Sequence, residues 1–128
     1  MDNIARNIET VRRLCAEWTS MTQADFDQVL APDCEFRNVP IEGDLTVGPA
    51  AIGKSLLAMA ERWAVAVDIE TVVGDERTVM IERTEHFSHR AGRKGPFDLP
   101  VVGVFQLADG KITNWKDFFE MSQVRLAG

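Results

Sequence analysis

The stretch Met80–Phe87 has the sequence MIERTEHF, which is unusually charged for a β-strand. Side chains on a strand point alternately to the two faces of a sheet. One face therefore carries Ile81, Arg83, Glu85 and Phe87, and the other carries Met80, Glu82, Thr84 and His86. Neither face is wholly apolar, so at least one charged set faces water or a polar pocket. We predict that Arg83 and Glu85 point into a pocket whose walls come from the rest of the chain.

Length and charge narrow the class of protein. A chain of 128 residues is the size of one domain, which we expect to span residues 1–128. The formal net charge of -6 argues against nucleic acid and anionic membranes as partners, because both require basic surface. No apolar run is long enough to span a bilayer. The N-terminus has no apolar signal core, so we expect a cytoplasmic location.

The residue types that usually bind metals are few. The chain has 2 cysteines, Cys15 and Cys34, which fall on the apolar side of a predicted helix and at the start of a predicted strand. We predict that both are small buried residues and do not form a disulfide or a metal site. His86 and His89 lack metal-ligand spacing with either cysteine and are predicted to lie at a surface or interface. No metal and no cofactor are expected.

The first half of the chain has helical periodicity. Apolar residues recur at helical spacing from Ile4 to Trp18. A capping box formed by Thr22 and Asp25 predicts the start of a second helix that ends near Pro32. After a short strand at residues 34–39 and a loop at 41–48, Pro49 suits the first turn of a third helix, with an apolar face that extends to Trp63.

From Ala64 onward the pattern is that of strands. Residues 98–107 form a largely apolar strand typical of a central position, and Asp109-Gly110 is a strong hairpin signal. The last strand, predicted at residues 111–121, alternates between two sets. Thr113, Trp115, Asp117 and Phe119 share one face, and Ile112, Asn114, Lys116 and Phe118 share the other.

This order of elements predicts an α+β fold. Helices come first and a run of antiparallel strands follows. We predict a curved mixed, mostly antiparallel sheet, with N-terminal helices packed on one face to form a cone that encloses a cavity.

Two segments carry a family resemblance: residues 81–85, IERTE, and residues 103–120, GVFQLADGKITNWKDFFE. Both resemble the limonene-1,2-epoxide hydrolase family, within the nuclear-transport-factor-2-like (NTF2-like, also SnoaL-like or cystatin-like) cone fold. A third segment, FRNVP at residues 36–40, is also similar to that family. The resemblance implies a single NTF2-like domain and a homodimer formed through the outer face of the sheet, to which Val102, Val104 and Ile112 could contribute.

The family uses an Asp–Arg–Asp set to add water to an epoxide without a covalent intermediate. The resemblance implies that Asp117 is the general base that activates water, that Glu85 is the acid that protonates the epoxide oxygen, and that Arg83 is the arginine. It also implies that Asn38 holds the water. Glu85 stands where the family usually has Asp, and Phe36 stands where it has a tyrosine that also binds the water. The implied reaction converts a small apolar epoxide and water into a vicinal diol.

The residue types suit this chemistry in their own right. Epoxide opening needs an acid for the leaving oxygen and a base for water, which two carboxyl groups in different protonation states can supply. An arginine between them fixes their geometry and does not lose its proton. An apolar pocket would enclose them. We predict that its walls come from Phe36, Leu45, Leu56, Met59, Trp63, Leu99, Trp115 and Phe119.

Three alternatives stay open on the sequence. Arg83 and Glu85 could form a solvated pair on an open sheet face. The chain could be a ketosteroid-isomerase-like or polyketide-cyclase-like enzyme, although with no tyrosine its oxyanion donor would have to be Trp115 or Glu85. It could also be a non-catalytic ligand-binding domain, since a fold does not determine function. For the hydrolase, Thr113 could replace the missing tyrosine as a water ligand.

Overall fold

The computed structural model describes residues 2–122 and 124. It contains three α-helices: α1 (Asn3–Glu17), α2 (Gln23–Val29) and α3 (Pro49–Arg62). A short 3₁₀ turn, Trp18–Ser20, follows α1. The strands are β1 (Leu30–Asn38), β2 (Thr46–Val47), β3 (Trp63–Gly74), β4 (Thr78–His89), β5 (Phe97–Ala108) and β6 (Lys111–Phe118). None of the helices in the described part of the chain is long and apolar enough to cross a membrane.

The strands form one sheet in the order β2-β1-β6-β5-β4-β3. All neighbours are antiparallel except β1 and β6, which are parallel. The helices contact one face of this sheet, where they cover a core that includes Val11, Leu14, Phe26, Leu30, Ile52, Ile81, Phe105 and Ile112. The predicted α+β cone fold is therefore confirmed.

The helix starts follow from local side-chain chemistry. Asp2 Oδ1 accepts a hydrogen bond from the Ala5 amide at 2.8 Å and caps α1. Thr22 and Asp25 form the predicted capping box, in which each side chain accepts from the other residue's backbone amide. Pro49 occupies the first turn of α3, as expected.

The sheet bends where its register shifts. Shifts occur between Leu30 and Glu35 in the β1–β6 pair, between Ile69 and Thr71 in β3–β4, and between Gln106 and Leu107 in β5–β6. Extra residues of this kind bend a strand and increase its twist. They give the sheet the concave inner face that a cone requires.

Several boundaries differ from the sequence prediction. The second helix ends at Val29 rather than near Pro32, because Leu30 already has the extended conformation with which β1 begins. The expected loop at residues 41–48 contains the short strand β2, which pairs with Glu35 and Phe36 of β1. The last strand ends at Phe118, so Phe119 follows β6 and is not part of it.

The prediction for the faces of β6 was wrong at its start. Ile112 was predicted to share the outer face and named as a possible contributor to the dimer interface, but its side chain is 0% exposed. Thr113 is the extra residue at the shift opposite Gln106 and Leu107, so the alternation changes phase there. The Thr113 hydroxyl donates to the Gln106 carbonyl at 3.2 Å, and Thr113 does not line the cavity described below, which argues against it as a water ligand. Val102 remains exposed on the outer face, and the homodimer stays a prediction.

The outer face of the sheet holds a histidine between two carboxylates. His86 on β4 lies 2.7 Å through Nδ1 from Asp98 Oδ1 on β5, and 2.8 Å through Nε2 from Asp68 Oδ2 on β3. An ionised carboxylate can only accept hydrogen bonds, so both contacts form fully when both ring nitrogens carry a proton. The hydrogen bonds to Asp98 and Asp68 raise the pKa of His86 above its ordinary value of 6.5. The protonated ring therefore connects three adjacent strands.

We predict that this contact stabilises the protein in a pH-dependent way. Because the pKa of His86 is raised in the folded state, its contribution is full below pH 6.5 and is lost as the pH rises through the folded-state pKa. Urea unfolding of the wild type and of His86→Gln should therefore show a stability difference that shrinks as the pH increases. A difference that is constant or that grows with pH would contradict this assignment.

Candidate active site

A cavity of about 330 Å³ lies between the helices and the concave face of the sheet. Its walls are mainly apolar, and its polar groups come from adjacent or facing elements. The charged side chains that line it are Arg83 and Glu85 of β4, Asp117 of β6 and Lys94 of the β4–β5 loop. An apolar cavity with few convergent polar groups is the usual form of a small-molecule site.

The centre of the site is a buried ion pair that crosses a strand. Arg83 Nη2 donates to Asp117 Oδ2 at 3.0 Å, and the two side chains are 2% and 9% exposed. Arg83 lies on β4 and Asp117 on β6, with β5 between them. Strands lie about 4.8 Å apart, so the backbones of β4 and β6 are about 10 Å apart, a distance that the two side chains and their hydrogen bond cover together. The long arginine side chain makes that crossing possible.

Gly103 of β5 provides the space for the crossing. It pairs in register with Ile81 on one side and with Asp117 on the other. A Cβ at this position would lie 2.8 Å from Arg83 Nη1, 3.0 Å from Asp117 Oδ1 and 2.6 Å from Phe105 Cε1. The guanidinium therefore lies directly over a backbone position that carries no side chain.

Trp115 holds the second oxygen of Asp117. Its indole Nε1 donates to Asp117 Oδ1 at 2.9 Å. The ring stacks on Phe36, with centroids 3.9 Å apart, and lies 5.3 Å from the Phe105 ring. With both oxygens accepting hydrogen bonds, one of them charge-assisted, Asp117 has the environment of an ionised carboxylate.

Glu85 has a different environment. Its Oε2 accepts a hydrogen bond from Trp18 Nε1 at 3.2 Å. Burial raises the pKa of Glu85 above its usual range and the charge of Asp117 adds to the shift, whereas Arg83 and the Trp18 hydrogen bond oppose it. Glu85 is therefore the carboxyl group of this cavity that tends to keep its proton.

Arg83 does not join the two carboxyl groups as the sequence suggested. Within residues 2–122 and 124, the carboxylate in ion-pair contact with Arg83 is Asp117 alone, and Glu85 pairs with Trp18 instead. Arg83 Nε and Nη1 are buried and donate to no described residue. Buried donors normally have an acceptor, so these two atoms are an exception among the described residues.

Asn38 lines the cavity beside Asp117, with which it pairs in register at the end of β1. Its Nδ2 donates to Asp44 Oδ2 at 3.2 Å, and its backbone amide donates to the same oxygen at 2.7 Å. Its carbonyl accepts from the Ile41 amide, so Asn38 also begins a turn. The side chain is thus held at the cavity by the loop before β2.

The expected wall residues all line the cavity except Leu45, which is 43% exposed and lies outside it. The sequence analysis did not identify Trp18 as a site residue. Trp18 falls on the apolar side of a predicted helix, and this pattern does not show that a buried indole N–H needs a hydrogen-bond acceptor. It also missed the rim, where Phe87 and Phe97 stack with centroids 4.7 Å apart and Trp63 packs against both edge-on. Lys94 of the β4–β5 loop also lines the cavity.

The remaining candidates lie away from catalytic chemistry. His89 packs its ring against Trp63 at 4.8 Å, and Arg90 Nε donates to the Ala60 carbonyl, which anchors the β4–β5 loop to α3. Cys15 and Cys34 are free and buried, as predicted, and burial raises the pKa of each thiol to about 12. Across the described ranges, no group of three or more His, Cys, Asp or Glu side chains could hold a metal ion.

Comparison with known proteins places this architecture in a family. The model of the SnoaL-like domain matches residues 11–115. The chain belongs to the SnoaL-like domain family. The match covers the helices and most of the sheet, including Arg83, Glu85 and Trp115.

Solved SnoaL-like and NTF2-like structures share the fold at low sequence identity. An M. tuberculosis LEH-like epoxide hydrolase has a TM-score of 0.83 at 23% identity, over 98% of this chain and 92% of that one. A candidate SnoaL-like polyketide cyclase from Jannaschia sp. CCS1 has a TM-score of 0.84 at 20% identity, covering 99% and 94%. A candidate isomerase from Bacillus subtilis has a TM-score of 0.83 at 19% identity, covering 99% and 95%. At these identities the comparisons establish the fold alone.

Two carboxyl groups with different surroundings, Asp117 and Glu85, line the cavity of this SnoaL-like domain. Asp117 has the contacts of an ionised carboxylate, and Glu85 is displaced toward its neutral form. Two titratable groups whose surroundings differ in this way can act as base and acid. The site is therefore equipped for coupled proton transfers on a small apolar molecule.

We predict that Gly103→Ala will destabilise the protein. A Gly→Ala change at a strain-free position usually stabilises by about 0.4–1 kcal/mol. Here the new methyl group would push on Arg83 and Asp117, so we expect a loss of about 1–3 kcal/mol in the free energy of unfolding. Urea denaturation measures this change.

Gly95→Ala is the matched control. A Cβ at Gly95 meets no described heavy atom within 4 Å, so its effect should stay within about 0.5 kcal/mol. Equal stability of the two variants would show that the space above Gly103 is not needed for the ion pair.

Proposed function

We propose that this protein is an epoxide hydrolase that adds water to a small apolar epoxide in one acid–base step. The observation that carries the proposal is that Asp117, held by Arg83 and Trp115, lies in the same apolar cavity as Glu85, whose pKa is raised by burial. The likeness of residues 81–85 and 103–120 to the limonene-1,2-epoxide hydrolase family supports the same assignment.

Asp117 acts as the general base in this proposal. It takes a proton from a water molecule while the water oxygen forms a bond to one epoxide carbon. The hydrogen bonds from Arg83 and Trp115 fix both carboxylate oxygens, which limits the positions that the water can occupy. Asn38, which lies next to Asp117 across the β1–β6 pair, is the proposed second holder of that water.

Glu85 acts as the general acid. As the carbon–oxygen bond of the epoxide breaks, the leaving oxygen takes the Glu85 proton and becomes a hydroxyl group. The product is a vicinal diol, with Asp117 protonated and Glu85 ionised. A proton transfer from Asp117 to Glu85 through solvent restores the starting state, so water and epoxide are the only reactants.

The site lacks one water ligand of the resembling family. Phe36 stacks on Trp115 and has no hydroxyl group, so it cannot bind the nucleophile. In this proposal the water is therefore held by Asp117 and Asn38 alone, which both line the cavity.

The cavity walls favour a small apolar substrate. Leu56 and Met59 of α3 face Leu99 and Val101 of β5 across the cavity. The volume of about 330 Å³ is at the lower end of ligand pockets. We therefore expect epoxides with compact hydrocarbon substituents to react faster than large or charged ones.

We predict that Glu85→Gln and Asp117→Asn each lower kcat by at least about 10²–10⁴ in an assay of diol formation. Glu85→Gln keeps the neutral shape of the protonated acid, so its folding should be unchanged. Asp117→Asn leaves the buried charge of Arg83 unpaired, so circular dichroism must show that this variant is folded at the assay temperature.

Glu82→Gln is the matched control, because Glu82 lies on the same strand as Glu85 but on the outer face. It should retain wild-type activity. Full activity of Glu85→Gln or Asp117→Asn would overturn the proposal. Labelled oxygen from water that entered the protein in a single turnover would indicate a covalent ester and would also contradict it.

We predict that kcat falls as the pH rises through the pKa of Glu85. The active form needs the Glu85 proton, and burial raises this pKa above the usual value of 4.5. The alkaline limb of the pH–rate profile should therefore lie above pH 4.5. A kcat that increases throughout the range above pH 4.5 would exclude Glu85 as the acid.

A second candidate function is an isomerase or cyclase that moves a proton next to a carbonyl group. The raised pKa of Glu85 favours it, since a neutral carboxyl group can donate to a carbonyl oxygen while Asp117 removes a carbon-bound proton. Exchange of a substrate's carbon-bound hydrogen with solvent deuterium, without diol formation, would identify this reaction. Tight binding of apolar ligands without either reaction would indicate a ligand-binding domain.

A further inference from the structure

Trp18 contacts the proposed acid from outside the sheet. It lies in the 3₁₀ turn after α1 and is 5% exposed. Its indole Nε1, which can only donate, is 3.2 Å from Glu85 Oε2. The ring belongs to the main hydrophobic core, and its backbone carbonyl accepts from the Met21 amide, so both ring and backbone are held.

The two oxygens of Glu85 therefore differ. Oε2 accepts from Trp18, whereas Oε1 accepts from no described residue. The wholly buried side-chain atoms that lack a partner in the described ranges are both on Arg83, so Oε1 retains accessible surface, and Glu85 lines the cavity. In a neutral carboxyl group the carbonyl oxygen is the better acceptor of an N–H bond. The Trp18 contact thus favours the tautomer in which Oε2 is the carbonyl oxygen.

We propose that Trp18 is a positioning residue that holds Glu85 Oε2 as a hydrogen-bond acceptor, so that the acidic proton is carried by Oε1 and faces the cavity. The use of that proton rests on the proposed function, but the contact and its effect on Glu85 do not. Glutamate has one more rotatable bond than the aspartate usual in the resembling family. The hydrogen bond from the Trp18 indole restricts this additional rotation of Glu85. Catalysis is sensitive to shifts of about 1 Å in the position of a reacting group.

Other groups also act on Glu85 and must be kept constant in a test. Arg83 shares its strand, Asp117 faces it from β6, and Cys15 approaches from α1. The Cys15 thiol, with a pKa of about 12, is uncharged near neutral pH. The Trp18 hydrogen bond favours the ionised form of Glu85, so its removal should raise the pKa of Glu85 further.

The test is Trp18→Phe, which removes the donor and retains an aromatic ring. The pKa of Glu85 is measured by ¹³C NMR of glutamate carboxyl groups, with Glu85→Gln to assign the signal. We expect an upward shift of about one pH unit, as for the loss of one hydrogen bond to a charged group. In the epoxide assay we expect kcat to fall about tenfold with KM changed less than about twofold, and the alkaline limb to move to higher pH.

Phe26→Leu is the packing control. Phe26 is fully buried in the same core but does not line the cavity, so this variant should leave the Glu85 titration at its wild-type position. A Trp18→Phe protein with an unchanged or lowered Glu85 pKa would overturn the inference, as would an equal upward shift in Phe26→Leu. If the wild type forms no diol, the proposed function fails, and the NMR titration still decides whether Trp18 positions the Glu85 proton.

Discussion

The buried ion pair between Arg83 and Asp117 is the constraint on which the rest of the site depends. Two charges taken out of water are costly, and loss of either partner leaves the other uncompensated at a cost of about 3–5 kcal/mol. The pair forms across a whole strand, so β4, β5 and β6 must keep their register for the distance of 3.0 Å to exist. Gly103 is part of the same constraint, because any side chain there would occupy the path of the guanidinium.

The pair also explains why the two carboxyl groups in one cavity have different surroundings. Asp117 receives a charged donor and an indole N–H, whereas Glu85 receives an indole N–H alone. Fewer hydrogen bonds therefore compensate for the burial of the Glu85 carboxylate, and burial raises the pKa of Glu85. The negative charge of Asp117 acts in the same direction. In the proposed reaction, the placement of one arginine therefore makes Asp117 the base and leaves the role of the acid to Glu85.

Much of this arrangement was accessible from the sequence. The alternation of Ile81, Arg83, Glu85 and Phe87 correctly identified the inner face of β4, and the order of helices and strands identified the cone. The prediction failed where the regular alternation of side chains between the two faces of a strand is interrupted. The extra residue Thr113 inverts the phase at the start of β6, and nothing in the local sequence distinguishes this bulge from a regular strand.

The partner of Glu85 was inaccessible for a different reason. Trp18 and Glu85 are 67 positions apart in the chain, and only the packing of the 3₁₀ turn against β4 brings them together. Periodicity identifies which side of an element is apolar, but it does not show which polar atom of an amphipathic ring will meet a partner. The sequence placed Arg83 between Glu85 and Asp117, whereas its ion pair within the described residues is with Asp117, 34 positions away.

The distribution of hydrogen-bond donors bears on which reaction this cavity can perform. Both indole groups at its polar end are committed to carboxyl oxygens, Trp115 to Asp117 and Trp18 to Glu85. Arg83 Nε and Nη1 have no acceptor among the described residues, but both atoms are buried and do not reach the cavity. Glu85 lines the cavity, so its carboxyl group can approach a reacting oxygen. An enolate must be held by donors that keep their protons, whereas an opening epoxide must receive one. A carboxylic acid with a proton to give, next to a base that can activate water, meets the second requirement more directly.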